Sequence, residues 1–312
     1  MSSLPGAADP PKATVDERVW PDHLQPGRPV EVAPGVTRIV APNPGLMTGP
    51  GTNTFLVGSG LLALVDPGPE DEAHLRTLCD AVGDRLRWIL VTHSHIDHSP
   101  LAVSLQKETG AQVVGFGPAP RTGPGPTGID PHDQAFAPDV LLTDGERIDA
   151  GDFAIEAVYT PGHASNHLCF ELTGTGLLFS GDHVMQGSTV VIAPPDGDMS
   201  QYLESIEKVK ARRPGRIAPG HGDVIEDPAA VLDDYLRHRW EREAQVLTGL
   251  KTAGEEGVKA EELVLLIYKD VPKELHPVAR YSVWAHLRKL AAEGMASSAD
   301  VTDLDAPWRP VP

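Results

Sequence analysis

Cysteine is nearly absent: Cys79 and Cys169 are the only two in 312 residues. A disulfide framework is therefore excluded as the support of the fold, and buried free thiols in a helix and a strand are expected instead. Long apolar runs are absent too, with no stretch approaching the roughly 20 residues that cross a bilayer. The start Met1-Ser2-Ser3-Leu4-Pro5-Gly6 lacks the basic-then-apolar order of an export signal, so a cytoplasmic location without membrane association is expected. Positive charge is scarce, with 26 Lys and Arg against 44 Asp and Glu and a net charge of −18. Such a chain repels polyanions at long range, although a local basic surface can still bind them. Two local clusters qualify, Lys208, Lys210, Arg212, Arg213 and Arg216, then Arg237, His238, Arg239 and Arg242. A solvated helix face is the simpler reading of both, and a phosphate-binding patch the alternative.

Histidine, by contrast, is concentrated. His93-Ser94-His95-Ile96-Asp97-His98 places three imidazoles and a carboxylate directly after the apolar run Leu86-Arg87-Trp88-Ile89-Leu90-Val91. Such ligands make a poor core but can hold metal at the rim of a sheet, because His nitrogens and carboxylate oxygens are what Zn²⁺ takes at catalytic sites. His93 and His95 project the same way from an extended segment. With Asp97 and His98 at the following turn, four donors can face two adjacent ions. Four donors cannot close a two-metal site, so further donors are expected at other strand ends. They stand in Tyr159-Thr160-Pro161-Gly162-His163, in Phe179-Ser180-Gly181-Asp182 and in Ala218-Pro219-Gly220-His221, each preceded by a glycine that permits close approach or unusual backbone.

With His93, His95, Asp97, His98, His163, Asp182 and His221 in this order, the chain resembles the metallo-β-lactamase superfamily over roughly residues 30 to 240. Gly51-Thr52-Asn53-Thr54-Phe55-Leu56-Val57 and Val65-Asp66-Pro67-Gly68 are similar to its opening hairpin. Ser99-Pro100 departs from the small residues common there, but neither is a ligand and proline suits a first helical turn. The resemblance implies that His93, His95 and His163 hold one metal, that Asp97, His98 and His221 hold a second, and that Asp182 bridges them. It implies two zinc ions, with Mn or Fe possible for this donor set, sharing a bridging hydroxide as nucleophile. Asp97 and Asp182 are the expected catalytic residues, Asp97 as proton acceptor. The leaving-group acid stays open; His167 and His183 are nearest in sequence, and a supporting or packing role is the simpler reading of each. His23, His74, His132, His238, His276 and His286 have no ligand-like context.

The fold implied is α+β, a four-layer αββα sandwich with a small winged-helix-like helical module at the C-terminus. Residues 1–29 form an expected extended lead-in rich in proline, 30–250 the catalytic domain and 251–312 the C-terminal module. Helices are expected over Glu70 to Val82, Pro100 to Thr109, Met199 to Ala211 and Pro228 to Thr252, from spacing of the apolar residues. The segment 117–138, rich in glycine and proline, reads as a substrate-facing loop or a tolerated insertion. Within the module, His286-Leu287-Arg288-Lys289-Leu290 would fit a recognition helix. Yet residues 251–312 carry more acidic than basic residues, so duplex DNA is not an expected partner and a structural or lid-like role is. Ile267-Tyr268-Lys269-Asp270-Val271-Pro272 and Asp182-His183-Val184-Met185-Gln186-Gly187 are similar to the β-lactamase-like protein 2 branch, which includes an endoribonuclease acting on single-stranded RNA. Three readings follow: a dinuclear hydrolase cutting single-stranded RNA, a hydrolase of small thioesters, esters or lactones of the glyoxalase II kind, and a mononuclear iron persulfide dioxygenase. A bridging carboxylate at Asp182 argues against antibiotic hydrolysis as the main activity.

Overall fold

The computed structural model describes residues 20–311 apart from 124, 126, 127, 129, 130 and 270. Residues 1–19 of the expected lead-in, and part of the 117–138 loop, therefore lie outside the described residues. The described end of the lead-in is not free chain: Leu24 is buried, and Gly27 N–H donates to Val40 O at 2.8 Å.

Strands β1 (Val30–Ala33), β2 (Val36–Val40), β3 (Asn53–Val57) and β4 (Leu62–Val65) pair antiparallel in chain order. Helix α1 (Glu72–Val82) then crosses to β5 (Leu86–Leu90), and α2 (Leu101–Thr109) to β6 (Gln112–Gly115), which pairs with β7 (Val140–Leu141). These additions are parallel, which is why they need crossovers where the hairpins did not, helical ones before β5 and β6. The second sheet begins with β8 (Arg147–Asp149), β9 (Ala154–Tyr159), β10 (Leu168–Leu172) and β11 (Leu177–Gly181), all antiparallel. Helix α3 (Met199–Arg212) returns the chain to β12 (Arg216–Pro219), parallel to β11.

Alternation along the strands builds the layers. In β4, Ala63 and Val65 face the second sheet while Leu62 and Leu64 face α1 and α2. In β11, Leu177 and Phe179 point between the sheets and Leu178 points to α3. The sheets meet through Phe55 and Phe179, whose ring centroids lie 5.2 Å apart. Each such fully buried apolar side chain contributes about 1.5–3 kcal/mol. Helices α1 and α2 cover one outer face through Leu78, Val82, Leu101 and Leu105. Helix α3 and the 26-residue α4 (Pro228–Ala253) cover the other through Tyr202, Ile206, Leu232 and Leu236. This is the four-layer αββα sandwich. Helix starts follow the caps: Asp71 accepts from His74 N–H and Asp198 from Gln201 N–H.

Beyond α4 come α5 (Ala260–Ile267), α6 (His276–Ala292) and the hairpin of β13 (Ala296–Ser298) with β14 (Trp308–Pro310). Their core gathers Leu263, Val283, Leu287, Leu290 and Trp308, together with Val246 and Leu250 from α4. Helix α4 thus contributes its first half to the sandwich and its last turns to the module. The expected recognition stretch faces inward: His286, Leu287, Lys289 and Leu290 are all buried. Glu243 of α4 meets His286 Nδ1 at 3.2 Å and Lys289 Nζ at 2.8 Å. A helix held in this way presents little to a DNA groove.

Candidate metal centre

β4, β5, β9, β11 and β12 all end at one rim of the sandwich, and the polar residues follow directly. His93, His95, Asp97 and His98 come after β5, His163 after β9, Asp182 after β11 and His221 after β12. The close packing there requires glycine. At Gly220 a Cβ would lie 2.7 Å from both Asp182 Oδ1 and His98 Cε1. At Gly162, with φ of +132°, it would lie 2.3 Å from the Tyr202 Cα.

All seven residues singled out in the sequence come together, in two groups able to hold metal. His93, His95 and His163 form one; Asp97, His98, Asp182 and His221 form the other, with donor atoms within 4.8 Å of one another in each. His95 Nδ1 lies 3.0 Å from His93 Nε2 and 3.1 Å from His163 Nε2. Nitrogens about 2.0–2.1 Å from a tetrahedral ion would stand roughly 3.3 Å apart, so little movement separates this triangle from a coordination site. Asp182 faces both groups. Its Oδ1 is 3.4 Å from His98 Nε2 and from His221 Nε2, and its Oδ2 is 3.7 Å from His163 Nε2. Asp97 Oδ2 completes the second group, 3.2 Å from His221 Nε2 and 3.7 Å from His98 Nε2.

The outer nitrogens are tethered. His98 Nδ1 donates to Asp66 Oδ2 at 2.9 Å, and His163 Nδ1 to Val191 O at 2.7 Å. His221 Nδ1 donates to Gly51 O at 3.2 Å. His93 Nδ1 donates to Thr92 Oγ1 at 3.0 Å, whose hydroxyl in turn donates to Asp66 Oδ2 at 2.8 Å. Each of these four rings therefore turns its Nε2 inward, the usual outer support of a metal-bound imidazole. His98 Nε2 and Asp182 Oδ1 are buried without a hydrogen-bond partner. Buried polar atoms without a partner are costly, and a cation displacing the His98 Nε2 proton would satisfy both.

Electrostatics separates the groups. Burial, with neighbouring imidazoles, pushes His93 and His95 well below the usual histidine range, and burial lowers His163. His98 and His221 go the other way. Burial opposes their charge, but Asp97 and Asp182 more than offset it, with Asp66 also acting on His98. His221 is pushed up to about 10. Burial penalises the charged Asp97 and Asp182 too, yet the two imidazoles hold both carboxyls below the usual range.

Above the donors opens a cavity of about 300 Å³. His95, Asp97, His163 and Asp182 border it, beneath walls that include Met47, Ile96, Met185, Val190, Pro194 and Val278. The loops 117–138 and 185–198 and the C-terminal module all contribute to it. Among the described residues no lysine or arginine lines it. Most of the two basic clusters is engaged elsewhere: Lys208 with Asp144, Lys210 with Asp233, Arg212 with Glu171, and Arg216 with Glu226. Arg237 pairs with Asp234, and Arg242 packs over the Tyr268 ring.

The sequence reading missed two residues. Asp66 stood there only as part of a hairpin, but it supports His98 directly and His93 through Thr92. His132 had no assigned role, yet it borders the cavity, 3.2 Å from Asp196 and with its ring centroid 4.8 Å from that of His95. Asp66 did carry a signal, a carboxylate at a strand end; His132 lies in a segment without period. His167 and His183 take supporting roles. His167 Nε2 accepts from the Asp182 backbone N–H at 3.2 Å. His183 is fully buried against Tyr202, and burial pushes it down to about 3.

Residues 47–221, more than half of the chain, match the family model of the metallo-beta-lactamase superfamily. The chain belongs to that superfamily. Residues 260–304 match the beta-lactamase associated winged helix domain. A beta-lactamase-like protein 2 homolog of Drosophila melanogaster is 36% identical over 280 residues, covering 85% of this chain and 91% of the relative. The lactamase-like protein vrtG of Penicillium aethiopicum is 30% identical, with 83% and 84% covered. Among solved structures, a beta-lactamase domain protein from Burkholderia ambifaria superimposes with a TM-score of 0.72 at 20% identity, covering 94% of this chain and 96% of that one. Superfamily members are generally metal-dependent hydrolases, and this chain is a hydrolase of the superfamily with a His and Asp cluster able to bind metal. Among the described residues no helix is long and apolar enough to cross a membrane.

Proposed function

We propose that the protein is a dinuclear metal hydrolase of small acyl substrates, esters or thioesters with an apolar acyl portion. One observation carries this reading: the donors open onto an apolar cavity of about 300 Å³ that no cationic side chain borders among the described residues. A single-stranded RNA substrate needs cations along its backbone and aromatic faces for its bases, and the walls here offer neither. Two divalent ions bound in the two donor groups, zinc being the best match to the ligands, would supply Lewis-acid polarisation and lower the pKa of a bound water to about 7. His93, His95 and His163 would hold one ion and Asp97, His98 and His221 the other, with Asp182, whose two oxygens face the two groups, contributing to both. Asp97, with a side chain 26% exposed, accepts the proton of the attacking water. The apolar walls bind the acyl portion and exclude bulk water.

Elemental analysis and a substrate panel test this reading together, with Asp97→Ala beside the parent. Two metals per chain and hydrolysis of apolar acyl thioesters, lost in the variant, are expected. Cleavage of labelled single-stranded RNA without thioester hydrolysis would transfer the assignment to the endoribonuclease reading. One iron per chain would favour the persulfide dioxygenase.

A further inference from the structure

We infer that Arg239, on α4 and outside the donor set, is a positioning residue for the three-histidine group. The inference rests on the reading that His163 is a metal ligand. Tyr235 and Arg239 stand one turn apart on α4 and therefore on one face of it. Both reach the loop that forms one wall of the cavity. The Tyr235 hydroxyl accepts from Met185 N–H at 2.9 Å and lies within reach of the Met185 and Ser188 carbonyls. Arg239 Nη2 donates to Val190 O at 2.5 Å. The next carbonyl in the chain, Val191 O, accepts the Nδ1 proton of His163 at 2.7 Å. A peptide group is planar, so holding Val190 O fixes the plane that enters Val191. With that plane anchored, the Val191 carbonyl can turn away from His163 only about its own ψ, which backbone sterics confine. Through it, Arg239 selects the ring orientation and tautomer that aim His163 Nε2 at His95 and Asp182.

Stability alone gives a poor account of Arg239. Arg239 is 2% exposed and its Nε is buried without an acceptor. Its other neighbour is Tyr202, whose ring lies 5.2 Å from the guanidinium and whose side chain hydrogen-bonds to it, so no carboxylate among these contacts offsets its charge. A buried cation is expensive, and apolar replacements of such groups are often neutral or stabilising. Placement for the metal centre explains what folding energetics does not. It also gives the C-terminal module a purpose. By anchoring α4 through Glu243, His286 and Lys289, the module steadies the helix that sets the metal ligand.

Arg239→Met and Arg239→Lys, with zinc affinities from chelator competition and absorption spectra of cobalt-loaded protein, test the inference. Expected for Arg239→Met is a folded protein with a melting temperature at or above the parent's. One metal equivalent should bind about 10–100-fold more weakly with an altered cobalt spectrum, the other staying within about threefold. Arg239→Lys should recover most of the loss. Folded Arg239→Met with both affinities and the spectrum unchanged overturns the inference. Should Arg239→Met fail to fold, Tyr235→Phe, which releases the same loop while keeping the ring, must show the same selective weakening. Failure of both to fold, or a folded Tyr235→Phe with unaltered metal binding, overturns it. A parent protein that takes up no metal overturns it together with the metal-centre reading.

Discussion

Asp66 governs more of the site than its place behind the donors suggests. One carboxylate takes the His98 Nδ1 proton, the Thr92 hydroxyl and the Thr92 backbone N–H, so two imidazoles from one loop share a single anchor. Asp66→Asn keeps the shape but loses acceptor strength. It should lower metal affinity about 10–100-fold, which chelator competition reads directly; undiminished affinity would show that the anchor is dispensable. The opposed shifts of the imidazoles lead to a second prediction. Held low by burial, His93, His95 and His163 are already neutral at pH 7, so metal uptake there releases few protons. His98 and His221 are held above the usual range by Asp97 and Asp182 and carry protons in the metal-free protein. Ligands must be deprotonated to bind, so uptake there expels about two protons, and acidification should empty that group first. Calorimetry in buffers of different ionisation heat should resolve one equivalent with large proton release and one with little. Equal release from both would contradict the asymmetry.

At the level of elements, the site depends on strand ends meeting at glycines. Gly162 passes so close to α3 that Gly162→Ala drives a methyl into the Tyr202 backbone and also strains a φ of +132°. A loss of about 3 kcal/mol is expected in urea unfolding. Gly60→Ala is the control: nothing lies within 4 Å of its added methyl, and a change within about 0.5 kcal/mol is expected. Equal effects would mean the crowding at α3 relaxes freely. These glycines were legible in the sequence because each stands next to a donor, and the donors because strand alternation and strand termination are local signals. His93 and His95 needed only a period of two. The four helices read from apolar spacing likewise fell within two residues of their expected bounds, because that spacing is itself a local signal. His132 and Arg239 were opaque for the opposite reason, and Asp66 showed only as a carboxylate at a strand end. Each acts through a partner far along the chain, and nothing beside it in the sequence records that partner. The inward turn of His286 and Lys289 was hidden in the same way, since both depend on Glu243 of another helix.

For the whole molecule, charge and cavity point to the same class of substrate. A chain of net charge −18 surrounds an apolar pocket, while the basic side chains of α3 are spent on Glu and Asp neighbours. Anionic substrates must approach against this field, and neutral ones need not. Salt shortens the reach of the repulsion, with a Debye length of about 10 Å at 0.1 M and about 3 Å at 1 M. For an anionic acyl thioester, kcat/KM should therefore rise with ionic strength, while for a neutral ester of similar shape it should stay nearly level. RNA predicts the reverse sign. Binding that displaces counterions from a phosphate backbone weakens steeply as salt increases, so an enzyme built for RNA would lose kcat/KM over the same range. Measuring all three substrates between 0.05 and 0.5 M salt, about a threefold span of Debye length, sets the two classes against each other by sign. A rise for the anionic thioester beside a flat neutral ester supports the acyl pocket; a steep fall confined to RNA would mean that a cationic track forms on this surface when substrate binds.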